Sequence, residues 1–317
     1  MGPTAAVAAV RHAVRAAVAG VPADQLVLVA CSGGADSLAL AAALAFTRPG
    51  RAGLVTVDHA LQPGSADRAA AVLRCGRDLG LDPALAVRVE VGTDGGPEAA
   101  ARTARYRALD ALATESDAVI LLGHTLDDQA ETVLLGLGRG SGPRSVAGMR
   151  PVQGRYRRPL LDLRRAQTRA CCVDLGLDVW DDPHNDDPRF QRVRLRREVL
   201  PLLEEVLQHG VAPALARTAA LLREDLDALD ELAAALPRPA ELIATELRPL
   251  PAALRTRVIR AWLRDHGGEP TSVHVRAVDR LVTDWRGQGP IDVPGGFAVL
   301  RASGKLIVKT RDAGPPS

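Results

Sequence analysis

Residues 26–37 have the sequence Leu-Val-Leu-Val-Ala-Cys-Ser-Gly-Gly-Ala-Asp-Ser. The apolar run at the start is typical of a strand that is buried on both faces of a parallel sheet. The two glycines allow positive φ angles and a close approach of the backbone to a ligand. The residues from Asp36 to Phe46 indicate a helix whose first N–H groups and positive dipole end face the loop. The sequence therefore predicts a phosphate-binding loop between a strand and a helix.

This loop supplies the candidate phosphate ligands, which are Ser32, Gly33, Gly34, Ala35, Asp36 and Ser37. An ordinary strand-to-helix turn capped by Asp36 or Ser37 is the alternative. A carboxylate in a phosphate cradle is costly unless a cation bridges it, so Asp36 indicates Mg²⁺. The chain has no G-x-x-x-x-G-K-S/T loop, because its only Gly-Lys pair is Gly304-Lys305, in a different context.

The first half of the chain alternates short apolar segments with longer amphipathic ones. The predicted strands are 25–31, 53–57, 85–91 and 118–123. The predicted helices are 36–46, 65–79, 97–113 and 126–137. Apolar strands that are each followed by a helix are typical of an α/β domain with a doubly wound parallel sheet. Ligands of such a domain bind at the carboxyl ends of the strands.

The length of 317 residues suggests about two domains. Residues 138–159 are rich in Gly and Arg and are predicted to form a long loop. Two more helices are predicted, at 164–175 and 191–208. We place the domain boundary near residue 212, so the first domain, 1–212, contains the predicted phosphate-binding loop. The smaller domain, 213–317, is predicted to be mainly helical and to end in two or three short strands within 291–309.

Composition disfavours several classes of protein. No apolar run approaches the roughly 18 to 20 residues of a membrane span, and the first 30 residues lack the organisation of a secretory signal. We therefore expect a cytoplasmic protein without a membrane partner. The four cysteines show no C-x-x-C spacing, which disfavours structural zinc, an iron–sulfur cluster and redox exchange.

An acidic helix follows the fourth predicted strand. Asp128 and Glu131 are three residues apart, and Asp127 and Glu131 are four apart, so their carboxylates share one helical face. Acids that complement the helix dipole would explain Asp127 and Asp128 but explain Glu131 less well. His124 alone would more often be a hydrogen-bonded core residue. Together, at the ligand-binding edge of the sheet, the four residues favour a functional site.

Positive charge is concentrated in one region, although the whole chain carries only +2. Residues 139–200 contain 14 Arg against 8 Asp and Glu, a local net charge of +6. Such a region can neutralise the phosphates of a nucleic acid. Solvated helix faces explain it equally well in a chain with 38 arginines. Charge alone leaves both interpretations open.

The Ser-Gly-Gly-x-Asp-Ser loop resembles that of the pyrophosphatase-loop (PP-loop) family of ATP-dependent enzymes, which have the adenine nucleotide alpha hydrolase-like fold. Further stretches between residues 25 and 201 narrow the resemblance to the tRNA(Ile)-lysidine synthetase family. These stretches are Val57-Asp58-His59, Glu98 to Tyr106, Gly123 to Thr132, Arg139-Gly140-Ser141-Gly142, Arg158-Pro159-Leu160-Leu161, Trp180-Asp181-Asp182-Pro183 with Asn185, and Phe190-Gln191-Arg192. Gln62 and Val193 depart from the family's pattern, where a basic residue and Asn are common.

The resemblance implies an ATP-dependent carbon–nitrogen ligase. Enzymes of this family adenylate C2 of the wobble cytidine in the CAU anticodon of tRNA(Ile), and the amine of free L-lysine then displaces AMP. The products are lysidine, AMP and pyrophosphate. ATP and Mg²⁺ are the implied cofactors, and the C-terminal domain is expected to bind the tRNA. The oligomeric state stays open, with a homodimer among the alternatives.

The resemblance also implies roles for individual residues. The candidate catalytic residues are Asp36, His124, Asp128 and Glu131. Either Asp128 or Glu131 is the expected base for the lysine amine. The candidate metal ligands are Asp36 with Asp127 or Asp128. The candidate adenine contacts are Val57 and His59. The candidate contacts to substrate or tRNA phosphates are Arg105, Arg139, Arg158 and Arg192. The segment from Trp180 to Asn185 is instead predicted to form a rigid, capped turn.

Two other functions are compatible with the loop. A tRNA thiolase would also adenylate a base, but sulfur-transferring relatives usually need paired cysteines, and here only Cys31 adjoins the loop. A regulator that binds a nucleotide but catalyses no reaction would not need the second group of candidate site residues, at 124–131. Pyrophosphate release that depends on tRNA would separate this regulator from both enzymes.

Overall fold

The structure is a computed structural model that describes residues 2–60, 64–92, 96–140, 142–182 and 186–310. Four positions discussed above lie outside the described residues: Gln62, Ser141, Pro183 and Asn185. The chain divides into two compact units, Met1–Ala220 and Leu221–Ser317. In the described ranges, no helix is both long enough and apolar enough to cross a membrane.

Within its described residues, the first unit contains a six-stranded sheet with helices on both faces. The strands are β1 (Val27–Ala30), β2 (Ala52–Asp58), β3 (Ala84–Arg88), β4 (Val119–Leu122), β5 (Val152–Gln153) and β6 (Tyr156–Arg157). The helices are α1 (Ala5–Val18), α2 (Ala35–Thr47), α3 (Ser65–Asp78), α4 (Pro97–Glu115), α5 (Leu126–Arg139), α6 (Pro143–Val146), α7 (Arg165–Asp174), α8 (Gln191–Arg194), α9 (Leu200–Val206) and α10 (Val211–Ala234), which runs past the division.

The order of the strands places a crevice at the centre of this sheet. The order is β3-β2-β1-β4-β6-β5, and all neighbours are parallel except the β5–β6 pair. Val27 of β1 lies opposite Ala52 of β2 on one side and Val119 of β4 on the other. The chain order reverses between β1 and β4, and ligands of doubly wound sheets bind outside the carboxyl ends of such strands. The phosphate loop and the acidic helix both begin there.

The residues of β1 alternate between two cores. Val27 and Val29 pack into a cluster with α1, α2 and α7, whereas Leu28 and Ala30 pack into a cluster on the α4 side. Successive strand residues point to opposite faces of a sheet, so a fully apolar strand needs helices on both faces. The predicted doubly wound parallel sheet is confirmed.

Two local predictions need correction, and one helix was not predicted. The N-terminal segment forms α1, which was not predicted, with Val7, Val10, Val14 and Val18 buried along one face. The prediction of a long loop at 138–159 is wrong for the residues that form α6, β5 and β6. These elements are too short to produce a detectable periodicity. The predicted helix at 191–208 is interrupted by a π-helical turn at Leu195–Val199. Pro201 follows this turn and has no N–H with which to continue the α-helical hydrogen bonds.

The second unit is built on an antiparallel sheet. Its elements after α10 are β7 (Leu242–Ile243), α11 (Ala244–Leu247), α12 (Ala252–Asp265), α13 (Ser272–Thr283), β8 (Ile291–Val293), β9 (Phe297–Ala302) and β10 (Lys305–Thr310). The strand order is β7-β10-β9-β8. Trp262 is fully buried in its core, and the indole N–H donates to the Pro239 carbonyl at 3.0 Å. The predicted short strands at the end of the chain are confirmed.

Candidate active site

The loop between β1 and α2 has the geometry of an anion site. Gly33 has a φ of +87°, and a Cβ there would lie 3.0 Å from Cγ2 of Val72. Helix α2 begins after Gly34 without a capping side chain, so its first N–H groups point at the crevice. The Ser37 hydroxyl turns back into the loop, donating to the Gly34 carbonyl at 2.9 Å and accepting from the Ser32 N–H at 3.2 Å. This geometry does not match an ordinary capped turn.

A cavity of about 220 Å³ opens beside the loop, at the carboxyl ends of β1 and β2. Its walls include Ser32 from the loop, Val57 and His59 from the end of β2, and Val72 from α3. Trp180 borders it as well, and its backbone N–H donates to the carbonyl of the loop glycine at 3.1 Å. Predicted phosphate and adenine residues thus border one cavity, next to apolar side chains that suit a flat aromatic ring.

Arg165, the first residue of α7, lies between two of the acidic residues. Its Nη2 donates to Oδ1 of Asp128 at 2.7 Å, and its Nε donates to Oδ2 of Asp36 at 3.4 Å. Asp36 also accepts a short hydrogen bond from the Thr168 hydroxyl. Burial raises the pKa of Asp36, although these two partners oppose the effect. Carboxylates at the starts of α2 and α5 therefore share one guanidinium.

The two adjacent aspartates of α5 have different partners. Asp128 accepts from the backbone N–H and the hydroxyl of Thr125, at 2.8 and 2.9 Å, in a capping box. Burial raises the pKa of Asp128, but the charge of Arg165 and the Thr125 hydrogen bonds outweigh burial and hold this pKa below its ordinary value. Asp127 instead accepts from the Arg165 backbone N–H at 2.7 Å and from Arg164 Nε at 3.0 Å. Both Asp127 oxygens are thus bonded to the start of α7.

Glu131 is fully buried among three arginines. Arg196 donates its Nε proton to Oε1 at 2.9 Å, while nitrogens of Arg165 and Arg192 each lie 3.7 Å from a Glu131 oxygen. Burial raises the pKa of Glu131, and the Arg196 hydrogen bond opposes this effect. Arg192 and Arg196 belong to the helical segment that contains the π-helical turn. Glu131 is therefore positioned to anchor these arginines at the crevice.

A second cavity, of about 290 Å³, shares His59 and Arg105 with the first. Its walls also include His124, Asp128 and Arg192. The Nδ1 atom of His124 is buried and makes no hydrogen bond within the described structure. Burial, reinforced by the positive charge of Arg105, lowers the pKa of His124 to about 3. This imidazole is therefore neutral at pH 7, with one ring nitrogen as a hydrogen-bond donor and the other as an acceptor.

The four predicted arginines differ in their surroundings. Arg105 and Arg192 line the second cavity. Arg158 is buried and donates to the Arg150 carbonyl at 2.8 Å. Arg139 is exposed at the end of α5. The structure thus brings Arg105 and Arg192 to the site and places the other two outside the walls of both cavities.

Sequence reasoning missed four residues that contact the acidic cluster: Arg164, Arg165, Thr168 and Arg196. Their only signal in the sequence is that they lie within the basic region. With 38 arginines in the chain, residue type could not separate Arg165 and Arg196 from the rest. Thr168 lies one turn after Arg165 on α7, which becomes meaningful only once α7 is known to face Asp36.

Comparisons with known proteins agree along the whole chain. A family model described as the PP-loop domain matches residues 7–203, and one described as the TilS substrate binding domain matches residues 242–307. A tRNA(Ile)-lysidine synthase of Thermobifida fusca is 53% identical over 97% of this chain and 98% of its own length. A tRNA(Ile)-lysidine synthase of Streptomyces coelicolor is 51% identical over 98% of this chain and 99% of its own length.

Among solved structures, the U34-tRNA thiolase NcsA of Methanococcus maripaludis has a TM-score of 0.56 over 69% of this chain and 80% of its own. At 18% identity, this likeness supports the fold alone and gives no support to the thiolase alternative. The PP-loop model covers more than half of the chain, and the relatives are about half identical over nearly all of it. The chain therefore belongs to the tRNA(Ile)-lysidine synthase family, as its sequence predicts.

Proposed function

We propose that this chain uses ATP to join free L-lysine to C2 of the wobble cytidine in the CAU anticodon of tRNA(Ile). One observation carries the proposal: the cavity at the phosphate loop and the cavity that contains Asp128 share His59 and Arg105. A reaction that adenylates a base and then adds an amine needs two adjoining compartments of this kind. A tRNA substrate assigns the reaction to the cytoplasm.

The reaction has two steps. The C2 oxygen of cytidine first attacks the α-phosphorus of ATP, and the bond to the β-phosphate breaks to release pyrophosphate. The lysine ε-amine then attacks C2 and loses a proton, while the C–O bond breaks and AMP leaves with the oxygen. The N–H groups at the start of α2 and the guanidinium of Arg105 stabilise negative charge on the α-phosphate. Neutral His124 donates a hydrogen bond to the activated oxygen.

The donor set fits Mg²⁺ that arrives with ATP. Among the described residues, no three His, Cys, Asp or Glu side chains form a self-contained metal site. Nucleotide-bound Mg²⁺ needs only one or two carboxylates, because phosphate oxygens and water complete its shell. Asp36 would hold the ion, and Asp128 can add an oxygen since both already contact Arg165. Asp127 is the alternative second ligand, and its two oxygens accept from Arg164 Nε and from the Arg165 backbone N–H. Bound Mg²⁺ neutralises phosphate charge.

Asp128 fits the lysine amine better than Glu131. Asp128 lines the second cavity, whereas Glu131 is fully buried and bonded to Arg196. The amine has an ordinary pKa near 10.4, so about one molecule in 2,500 is neutral at pH 7, which corresponds to about 4.6 kcal/mol. Asp128 orients the ammonium group by its charge and accepts the proton as the C–N bond forms.

We assign residues 1–212 to catalysis and residues 213–317 to tRNA binding. The match of residues 242–307 to a substrate binding domain supports this division. In the first unit, Arg192 lines the second cavity and Arg139 is exposed at the end of α5, and we assign both to contacts with the tRNA. A chain truncated after residue 212 should lose tRNA affinity, measured by filter binding. Unchanged affinity and selectivity would contradict the assignment.

The reaction itself is tested with the purified chain, Mg²⁺-ATP, labelled lysine and a tRNA(Ile) transcript with a CAU anticodon. The RNA is digested, and its nucleosides are analysed by mass spectrometry. We expect a cytidine that carries lysine, and no such product from a control transcript with a GAU anticodon. Pyrophosphate release that depends on tRNA without lysine incorporation would contradict lysine as the nucleophile. The absence of both products would contradict an enzymatic function.

A further inference from the structure

One arginine of α7 contacts all four of the acidic residues that the sequence predicts at the site. The Nη2 atom of Arg165 is 2.7 Å from Oδ1 of Asp128 and 3.7 Å from Oε1 of Glu131. Its Nε atom is 3.4 Å from Oδ2 of Asp36. Its backbone N–H donates to Asp127 at 2.7 Å. A single residue therefore links four carboxylates that the sequence places on two separate helices.

Arg165 is held in place by the helix that it begins. Thr168, one turn later and fully buried, donates its hydroxyl proton to Asp36. Cys172, a further turn along and also fully buried, has its thiol 3.3 Å from the Ala35 carbonyl. Helix α7 is thus bonded at two points to the start of α2. The base of the Arg165 side chain is consequently fixed relative to the phosphate loop.

This arrangement offsets the electrostatic repulsion between two carboxylates. Asp36 lies at the start of α2 and Asp128 at the start of α5, and two ionised carboxylates facing one crevice repel each other. A planar guanidinium carries several N–H donors in a rigid fork and can bond both groups at a set separation. A lysine ammonium is a point charge on a flexible stem and cannot reproduce this bridge.

We propose that Arg165 is a positioning residue that sets the separation between Asp36 and Asp128, and with it the separation between bound nucleotide and the lysine amine. This inference rests on the proposed function. In this proposal Arg165 keeps its place when Mg²⁺ binds, because its guanidinium bonds Asp36 and Asp128 and its backbone N–H bonds Asp127.

The variants Arg165→Ala and Arg165→Lys test the proposal. Arg169→Ala is the matched control, because Arg169 is on the same helix and forms an exposed ion pair with Asp181. Three quantities are measured: kcat and KM for lysine transfer, the affinity for ATP by calorimetry with and without Mg²⁺, and the rate in the presence of millimolar guanidinium ion. A melting curve for each variant shows whether it is folded.

For Arg165→Ala we expect kcat to fall about 100-fold, the scale of a small misplacement of reacting groups, while KM for tRNA changes less than about threefold. Guanidinium ion should restore activity about tenfold in this variant and should have no effect on wild type or Arg169→Ala. Mg²⁺ should raise the ATP affinity of this variant less than it raises that of the wild type, because Asp36 and Asp128 are no longer held close together. A merely structural role would not produce the guanidinium rescue.

Wild-type kcat in Arg165→Ala would overturn the proposal. A larger gain in ATP affinity from Mg²⁺ in this variant than in wild type would also overturn it, since Arg165 would then compete with the ion for the carboxylates. If Arg165→Ala does not fold, the variant Arg165→Lys decides the question. Loss of lysine transfer in a folded Arg165→Lys protein supports the bridging role of Arg165, and lysine transfer at the wild-type rate overturns it. If the wild-type chain fails to modify tRNA, the proposed function is contradicted, and the Mg²⁺ dependence of ATP binding still decides the role of Arg165.

Discussion

Replacing Asp128 with Asn removes the proposed base and keeps the shape of the side chain. The amide oxygen can still accept the Thr125 N–H, which bonds the native carboxylate at 2.8 Å, so the start of α5 is preserved. The amide nitrogen then takes the place of the carboxylate oxygen that accepts from Arg165 at 2.7 Å, so this hydrogen bond is lost. The Asp128 and Arg165 side chains are 17% and 21% exposed, so we expect the free energy of unfolding to fall by only about 1 to 2 kcal/mol.

The effect on lysine transfer is expected to be much larger. Positioned general bases contribute about 10² to 10⁴ in rate, and we expect Asp128→Asn to lower kcat for lysine transfer within that range. Pyrophosphate release without lysine should fall less. In the variant, the rate should rise about tenfold per pH unit between pH 7 and 9, as hydroxide takes over deprotonation of the amine. In wild type, burial raises the pKa of Asp128, but Arg165 and Thr125 hold it below its ordinary value, so the base is ionised throughout this interval.

Quench-flow with labelled lysine and saturating ATP measures the transfer step, and a coupled pyrophosphate assay measures adenylation. Asp174→Asn serves as a control, because Asp174 lies at the far end of α7 and accepts an exposed hydrogen bond from Thr4. A kcat within about threefold of wild type would remove Asp128 from the base role. A large loss that does not vary with pH would show that Asp128 acts in some step other than deprotonation.

Other contacts lead to three further expectations. Gly33→Ala should weaken ATP binding at least about tenfold in calorimetry, because Val72 and a φ of +87° exclude a Cβ. Trp180 is the only tryptophan in residues 1–220 and borders the first cavity, so ATP should change the fluorescence of the protein, and Trp180→Phe should abolish that response. Glu131→Gln should lower the melting temperature by about 4 to 8 °C, because Arg196 loses its buried charged partner. An unchanged melting curve with lost lysine transfer would instead identify Glu131 as the base.

The parts of the fold that could be predicted are those whose signal is local. A strand such as 26–30 is apolar because both of its faces are covered, and the glycines of the loop follow it directly. Helix α1 has Val7, Val10, Val14 and Val18 at helical spacing, but alanines on its other face reduce the contrast on which periodicity depends. Elements of two to four residues, such as α6 and β5, have no periodicity to detect.

The candidate site was predictable as a set of residue types but not as a set of contacts. Spacing groups both Asp127 and Asp128 with Glu131, although adjacent helical residues project about 100° apart. The two aspartates differ in how they bond α7, which begins 37 residues later along the chain. Asp127 accepts from a backbone N–H of α7, and Asp128 accepts from a guanidinium. Arg165 and Arg196 become distinct from the other arginines only through such non-local pairs. The assignment of roles therefore needed the tertiary structure.

The charges around the crevice give a physical reason for a nucleophile that binds as a cation and loses its proton in the reaction. The predicted site carboxylates are those of Asp36, Asp127, Asp128 and Glu131, and their arginine partners are Arg164, Arg165, Arg192 and Arg196. The cavity walls add two carboxylates, of Asp58 and Asp182, and two guanidinium groups, of Arg68 and Arg102. Positive and negative side chains are thus balanced before any substrate binds. ATP adds several negative charges, against which Arg105 on the wall of both cavities supplies one positive charge. Mg²⁺ that accompanies the nucleotide and the ammonium group of lysine supply the rest, whereas a neutral nucleophile such as water would leave the crevice negative. The base that receives the lysine proton must in turn remain ionised until C–N bond formation begins, because a protonated carboxylate cannot accept a second proton.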